Sequence, residues 1–308
     1  ALALKSRVLL YAASTLNNPS GDVAKWLAAA NAAKDIINSG KFSLNSSFFN
    51  VFTTRSNAEV IFAFQRGKTF DLESNLAPVG YLSPNASSGH ISPSQNLVDA
   101  YPSANGRAIN DPGNTTFNPA SPYANRDPRL ALTVFTNGSM WLNRAVETFE
   151  GGLDKPGGSI RQTRTGYYMR KFLANFSTST AYSTQDHNHI IFRLRAGIPV
   201  GTTAGYQHGL KTNMTQAELR DAIRLERRIE MAFEEQRYWD IRRWKIAETV
   251  MNNQPLKGVV ITKDPVSGIL SFAPTNVITM VFQPRMYLYP IPFNEILANP
   301  ALVQNAGW

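Results

Sequence analysis

Hydrophobic residues recur at helical spacing over the first forty positions of the chain. Leu4, Val8 and Ala12 lie on one face of a helix that we predict over 1–14. After a Pro-Ser-Gly turn at 19–21, Asp22 is a suitable N-cap for a second helix, and Gly40 ends it. The pattern therefore predicts a hairpin of two helices joined by a short turn.

The hydrophobic pattern becomes irregular after this hairpin. A short apolar run at 60–64 predicts a β-strand. From about 67 to 160 the chain is rich in Pro, Gly, Asn and Ser, and aromatic residues stand singly, among them Tyr81, Tyr123 and Trp141. A region of this length without periodicity is usually a functional loop region, so we expect the ligand contacts there.

Helical periodicity returns at Thr215. Thr215 and Glu218 have the spacing of a capping box, in which the hydroxyl and the carboxylate each bond a free backbone amide. The apolar positions predict a helix from there to about Asn252, with a break near Tyr238, and Pro255 stops it. We assign the block from Glu226 to Trp244 to the scaffold.

Composition and charge narrow the function classes. The chain has 308 residues, 43% of them hydrophobic, and no cysteine, which excludes disulfide scaffolds, thiolate zinc sites and cysteine nucleophiles. The net charge is +9, and much of the excess lies between Arg161 and Arg195. This stretch is either a nucleic-acid surface or a set of solvated or ion-paired side chains. Because no recognised nucleic-acid motif accompanies it, we expect no nucleic-acid partner.

Few residues form a catalytic pattern. Glu226 and Glu230 are four positions apart on one helix face, at about the ~6 Å separation of the carboxylates in a retaining glycosidase. Arginines surround them, and nearby positive charge opposes the raised pKa that a general acid needs. We therefore predict a structural Arg/Glu network. His187 and His189 lack an obvious third ligand, so we expect no metal site there. Because the sequence offers so few catalytic residues, we also expect no cofactor and no enzyme activity. A structural calcium ion is left open.

Several collinear segments resemble one protein family. Residues 223–234 and 237–244 resemble the signature of the SusD/RagB family, and residues 288–308 resemble its C-terminus. Further similar segments are 3–11, 57–64, 97–101, 126–130 and 163–168. Several motifs in the same order are more specific than any one of them.

The resemblance implies a fold and a role that spacing alone does not give. Members of this family are outer-membrane lipoproteins of Gram-negative bacteria, facing outward and anchored by an N-terminal lipid. A tetratricopeptide (TPR)-like helical scaffold carries a large irregular loop-rich region and a few short strands. They capture oligosaccharides, or peptides in some members, for a SusC-like TonB-dependent transporter, and they are not enzymes.

The resemblance also implies a domain plan and two departures. We expect a single SusD-like domain over 1–308, with a TPR-like hairpin and strand over 1–66, the loop-rich ligand region over 67–160, and the C-terminal scaffold over 161–308. The family's signal peptide, lipid-bearing cysteine and N-terminal helical portion have no counterpart in the sequence. A helical hairpin that the family places near 193–195 also has no counterpart in the sequence. One hairpin plus one long helix cannot close a solenoid, which generally needs about three repeats.

Within the loop-rich region we predict particular ligand contacts. Tyr81, Tyr123 and Trp141 are predicted to stack on sugar rings and Asn125 to bond hydroxyl groups, from their expected exposure and their loop placement. On this hypothesis Trp141→Ala weakens glycan retention and hardly changes the melting temperature. The alternatives are a peptide-binding member of the family, a glycosidase that uses Glu226 and Glu230, and an interaction scaffold without a ligand.

Overall fold

The computed structural model describes residues 1–81, 87–158, 161–175, 184–194, 206–207, 210–252 and 254–308. By contact pattern the chain forms two compact units, and each is discontinuous in sequence. Unit 1 contains Ala1–Ser39, Glu235–Pro255 and Ile278–Trp308; unit 2 contains Gly40–Glu234 and Leu256–Val277. Unit 1 therefore combines parts of the linear segments 1–66 and 161–308, whereas unit 2 contains all of 67–160 with parts of the other two.

Helices supply most of the regular structure in the described residues. They are α1 Leu2–Ala13, α2 Val23–Asn38, α3 Phe48–Thr53, α4 Asp71–Leu76, α5 Gln95–Val98, α6 Pro128–Thr133, α7 Gln216–Glu230, α8 Arg237–Arg243, α9 Ala247–Met251 and α10 Phe293–Ala298, with a 3₁₀ helix over Pro284–Tyr287. None of these helices has the length and apolar character needed to cross a bilayer.

The strands are short and occur in pairs. They are β1 Val60–Gln65, β2 Val134–Phe135, β3 Met140–Trp141, β4 Arg144–Ala145, β5 Tyr168–Met169, β6 Asn188–Arg193, β7 Tyr206–Gln207, β8 Leu210–Lys211, β9 Pro255–Lys263 and β10 Leu270–Thr279. The pairs are β1 with β6, β2 with β5, β3 with β4, β7 with β8, and β9 with β10. The predicted strand at 60–64 is confirmed as β1.

Unit 1 contains the predicted helical hairpin. The Asp22 carboxylate accepts a hydrogen bond from the Ala24 amide at 2.8 Å, so the predicted N-cap of α2 is confirmed. A small apolar core forms around Ile241, Ala247, Phe282 and Tyr287. Both hairpin helices are confirmed, and both leave large apolar side chains exposed.

Unit 2 is built on two apolar clusters beneath long irregular segments. One cluster centres on Tyr81, Phe135, Trp141 and Tyr168. The other includes Tyr101, Val134, Tyr167, Ile229 and Ile261. The observed fold class is mainly helical, with a large loop-rich region and few short strands, as predicted.

The long C-terminal helix is divided earlier than predicted. The capping box of Thr215 and Glu218 is confirmed, with both reciprocal hydrogen bonds present. Helix α7 ends at Glu230, and Phe233 and Glu235 then take left-handed φ angles of 64° and 59°. Left-handed residues cannot continue a right-handed helix, so the break precedes Tyr238. The predicted missing hairpin near 193–195 adjoins positions 195–205, which lie outside the described residues.

Candidate functional site

Two of the predicted stacking residues lie in the core. Tyr81 is 3% exposed and Trp141 2%, and their ring centroids are 4.8 Å apart. The Tyr81 hydroxyl donates to the Arg144 carbonyl at 2.8 Å, and the Trp141 indole N–H donates to the Ala174 carbonyl at 3.2 Å. The prediction that these rings are exposed was wrong, because apolar faces from separate loop segments pair with one another and exclude solvent.

The other two predicted residues lie nearer the surface. Tyr123 is half-buried, with its ring edge-to-face against Phe272 at 5.8 Å. Asn125 is exposed and has a φ of 54°, a left-handed conformation that asparagine tolerates better than most residues. The ligand-binding role of Tyr123 and Asn125 stays a prediction.

Tyr123 belongs to a chain of polar groups that we call the polar loop cluster. Its hydroxyl lies 3.2 Å from the Tyr167 hydroxyl. Tyr167 donates to Gln95 Oε1 at 2.5 Å, and Gln95 Nε2 donates to Asp99 Oδ1 at 2.6 Å. Burial raises the pKa of Tyr123 to about 12, so its hydroxyl keeps its proton at neutral pH.

A buried arginine positions the loops around this cluster. Arg126 is 7% exposed, and its Nη2 donates to the Val98 and Tyr101 carbonyls at 2.6 and 2.7 Å. Its Nη1 donates to the Pro122 carbonyl at 2.8 Å. One guanidinium thus satisfies three backbone carbonyls and ties the segment around Asn125 to the end of α5.

The Glu226 and Glu230 pair is part of an ion network. Arg129 Nη1 lies 2.5 Å from Glu226 Oε1 and 3.2 Å from Glu230 Oε2, and Arg129 Nη2 lies 2.8 Å from Asp127. Burial lowers the pKa of Arg129, but hydrogen bonds to Asp127 and Glu226 raise it by more, so the net shift is upward. The predicted structural Arg/Glu network is confirmed in kind, but the arginine that joins Glu226 and Glu230 comes from α6 and not from the neighbouring positions in sequence.

The network extends to cations of the basic stretch. Arg193 contacts Glu59 at 2.6 Å and Glu230 and Glu234 each at 2.8 Å, and Lys171 contacts Glu234 at 2.8 Å. Arg193 is 6% exposed and Lys171 1%, and burial lowers the pKa of Lys171 to about 8. These two cations therefore serve as buried structural partners and do not form a solvated basic surface.

The two neighbouring histidines differ in burial. His187, which precedes β6, is buried, and its Nε2 lies 2.9 Å from Glu73 Oε1, whereas His189 within β6 is exposed. Burial and the nearby Arg66 lower the pKa of His189. Within the described ranges, no three His, Asp or Glu side chains are grouped as metal ligands.

Exposed aromatic rings gather instead at α8. Tyr238, Trp239 and Tyr289, which we call the aromatic platform, are 39%, 41% and 55% exposed. The Trp239 ring centroid lies 5.1 Å from that of Tyr238 and 6.1 Å from that of Tyr289. The rings are inclined to one another, by 90° between Tyr238 and Trp239 and by 54° between Trp239 and Tyr289, so each can offer its own apolar face to a ligand.

Burial of the opposite side of α8 positions these rings. Asp240, Ile241 and Arg242 are buried, which leaves Tyr238 and Trp239 facing outward. The Arg242 guanidinium lies 3.4 Å from the Tyr238 ring centroid and supports that ring from beneath. The Tyr238 and Tyr289 hydroxyls are hydrogen-bonded at 2.5 Å, and burial together with this bond raises the pKa of Tyr238.

An open groove of about 680 Å³ runs beside Trp239 within unit 1. Leu4, Val8 and Tyr11 of α1 and Trp239 of α8 supply its apolar lining. We call this feature the Trp239 groove. Its volume and mixed lining are typical of small-molecule and oligomer sites.

Polar side chains at the edge of the groove add hydrogen-bonding groups to this apolar lining. They are Arg7, Asn17, Lys25, Glu235 and Gln236. Amide, ammonium, guanidinium and carboxylate groups together both donate and accept hydrogen bonds. The groove can therefore bind a polyhydroxyl ligand by its polar edges and its apolar face at once.

Sequence reasoning assigned the aromatic platform to the scaffold and so missed it. Tyr238 and Trp239 are adjacent on a short helix whose next four residues are all buried. Adjacent helical positions point about 100° apart, so the two rings and those four residues could not all face one core. The burial of those four residues is known only from the structure, so the sequence alone carries no signal that sets the two rings apart.

Comparison with known proteins gives one family and several structures. The family model described as the SusD family matches residues 58–194 and 188–308. No curated protein matches the chain.

The similar solved structures cover the whole described fold. A SusD-like protein from Bacteroides fragilis is 25% identical, with a TM-score of 0.74 over 100% of this chain and 64% of that one. A SusD-like carbohydrate-binding protein from the same species is 24% identical, with a TM-score of 0.69 over 97% of this chain and 63% of that one. The chain thus spans less than two thirds of the length of these two proteins. Their helical fold is the TPR-like fold that was predicted.

Proposed function

The chain belongs to the SusD family, and from this membership we propose that it binds oligosaccharides at the cell surface without cleaving them. The family resemblance predicted from the sequence motifs is thereby confirmed. The proposal continues that the bound glycan passes to a SusC-like TonB-dependent transporter. A lipid anchor on a segment preceding these residues would hold the protein on the outer face of the outer membrane.

The aromatic platform is the observation that carries this proposal. The hydroxyl groups of a pyranose lie around its rim, while its C–H faces are apolar and pack on flat rings. Trp239 and Tyr289 offer such faces, with 41% and 55% of each residue exposed. One solved relative of similar fold is described as a carbohydrate-binding protein, which supports the same ligand class for this chain.

The ion network supports binding without catalysis. A general acid must hold a proton at neutral pH, and a glycosidase needs both carboxyl groups free to reach the sugar. Glu226 and Glu230 instead share the Arg129 guanidinium, and Glu230 also bonds Arg193. Glu230 is 3% exposed, so a saccharide has no access to it.

We test the platform with a pair of tryptophan variants. Trp239→Ala removes the ring that lines the groove, whereas Trp26→Ala removes a tryptophan of nearly equal exposure, 40%, that does not line it. In affinity gels that contain different polysaccharides, the parent protein and Trp26→Ala should be retained by at least one of them, and Trp239→Ala should migrate freely. Equal thermal stability of both variants excludes a folding defect.

Two results would contradict the proposal. If no polysaccharide retards the parent protein, the oligosaccharide assignment fails, and peptides become the ligands to test. If the protein releases reducing sugar and Glu230→Gln abolishes that release, the protein is a glycosidase.

The predicted residues of the loop-rich region form a second, separate part of the proposal. Asn125 presents an exposed amide, and the half-buried Tyr123 presents a protonated hydroxyl at one end of the polar loop cluster. We propose that they bond sugar hydroxyl groups. Asn125→Ala should then weaken glycan binding without a change in stability, and unchanged binding would remove Asn125 from the site.

A further inference from the structure

The charges at the Trp239 groove point to the kind of saccharide that it takes. This inference rests on the proposed function and adds the chemical class of the ligand. Two cations, Arg7 and Lys25, line the groove against one carboxylate, Glu235. The balance at the groove edge is therefore positive.

Lys25 is placed to bind an anion. It is the third residue of α2, and its side chain is exposed. Among the residues that the structure describes, Lys25 forms no ion pair within 4 Å, with Glu235 or with any other carboxylate. An ammonium group on a flexible stem can turn towards a carboxylate at little cost.

Arg7 adds a second cation from α1. Its side chain lines the same groove as the apolar Leu4 and Val8 of this helix. A guanidinium binds a carboxylate with two parallel N–H donors. Glu235 also lines the groove and can accept hydrogen bonds from hydroxyl groups.

We propose that the Trp239 groove binds acidic oligosaccharides built from uronic acid residues. One pyranose face packs on the Trp239 ring, and its carboxylate lies between the Lys25 ammonium and the Arg7 guanidinium. Neutral saccharides can use the same ring but lack the ionic contact. Exposed ion pairs contribute little each, so the preference for the acidic ligand is expected to be roughly fivefold at low salt.

The experiment compares matched ligands by titration calorimetry. Oligogalacturonate and oligomers from alginate are each paired with the same oligomer after reduction of its carboxyl groups. The acidic member should bind about fivefold more tightly at low salt, and the ratio should fall in about 0.3 M salt because exposed charges are screened. Lys25→Gln should lower this ratio, and Lys34→Gln, an exposed lysine of the same helix outside the groove, should keep it.

The outcomes separate this inference from the proposed function. Equal or tighter binding of the neutral oligomers overturns the uronate assignment and leaves oligosaccharide binding intact. An acidic preference that Lys25→Gln and Lys34→Gln leave equally unchanged overturns the assignment to this groove. If neither oligomer binds and no polysaccharide retards the protein in gels, the proposed function itself fails.

Discussion

The burial of Trp141 reverses the expectation that its removal would leave stability unchanged. Trp141 is 2% exposed, with ring centroids of Tyr81 and Phe135 at 4.8 and 5.4 Å. Replacing a buried tryptophan by alanine costs about 3–5 kcal/mol, because the cavity closes only in part. The Ala174 carbonyl also loses its indole donor, which costs about 1 kcal/mol or more in a buried setting.

Urea unfolding followed by circular dichroism measures this loss. With a slope of roughly 3 kcal/mol per molar urea, a loss of ~4 kcal/mol lowers the midpoint of unit 2 by more than ~1 M. Trp141→Phe keeps a ring but loses the N–H, so it should fall between the parent protein and Trp141→Ala. Trp26→Ala, at a position that is 40% exposed, should cost less than about 1 kcal/mol.

The comparison can refute the packing argument. If Trp141→Ala and Trp26→Ala shift the midpoint equally, then Trp141 is not a core residue. If Trp141→Ala weakens glycan retention at full stability, the original prediction that its ring stacks on sugar is correct after all.

Three further predictions follow from contacts in unit 2. Arg129→Met leaves three carboxylates without their shared cation and should lower the free energy of unfolding, measured by thermal unfolding, by about 3–5 kcal/mol. A loss no larger than that of an exposed arginine variant would show that the network adds no stability. Burial raises the pKa of Tyr123 and of Tyr168 to about 12, so their contribution to stability is complete below pH ~10 and is lost as the pH rises from about 10 to about 12. Absorbance titration should show these two phenols ionising late. Ionisation of every tyrosine near pH ~10 would contradict their burial. Gly166→Ala places a Cβ 2.6 Å from the Val259 carbonyl oxygen at a φ of +81°. It should lower the free energy of unfolding by more than Gly268→Ala, which sits at +73° in open space and should lose only about 1 kcal/mol. Equal unfolding midpoints for the two variants would mean that the backbone relieves the clash.

The regular elements could be predicted because their signals are local. The Asp22 cap and the Thr215 capping box depend on residues within one helical turn, and both were predicted correctly. The break after α7 was placed too late, because the left-handed Phe233 and Glu235 carry no glycine or proline signal in the sequence.

The site could not be predicted in the same way, since exposure is a tertiary property. Trp141 stands alone among polar loop residues, yet Tyr81, sixty positions away, packs on its ring. Trp239 lies in a motif that resembles scaffold, yet its ring is exposed on one side of a short helix. Which singly placed rings meet one another depends on loop paths, and periodicity does not encode those paths.

The discontinuity of unit 1 has a consequence for how the chain folds as it is made. Its hairpin, Ala1–Ser39, packs in one unit with Ile278–Trp308, a segment that leaves the ribosome about 240 residues later. At typical elongation speeds of ~5–20 residues per second, the nascent hairpin waits roughly 10–50 s for that segment. Unit 1 can therefore be completed only after synthesis of both ends.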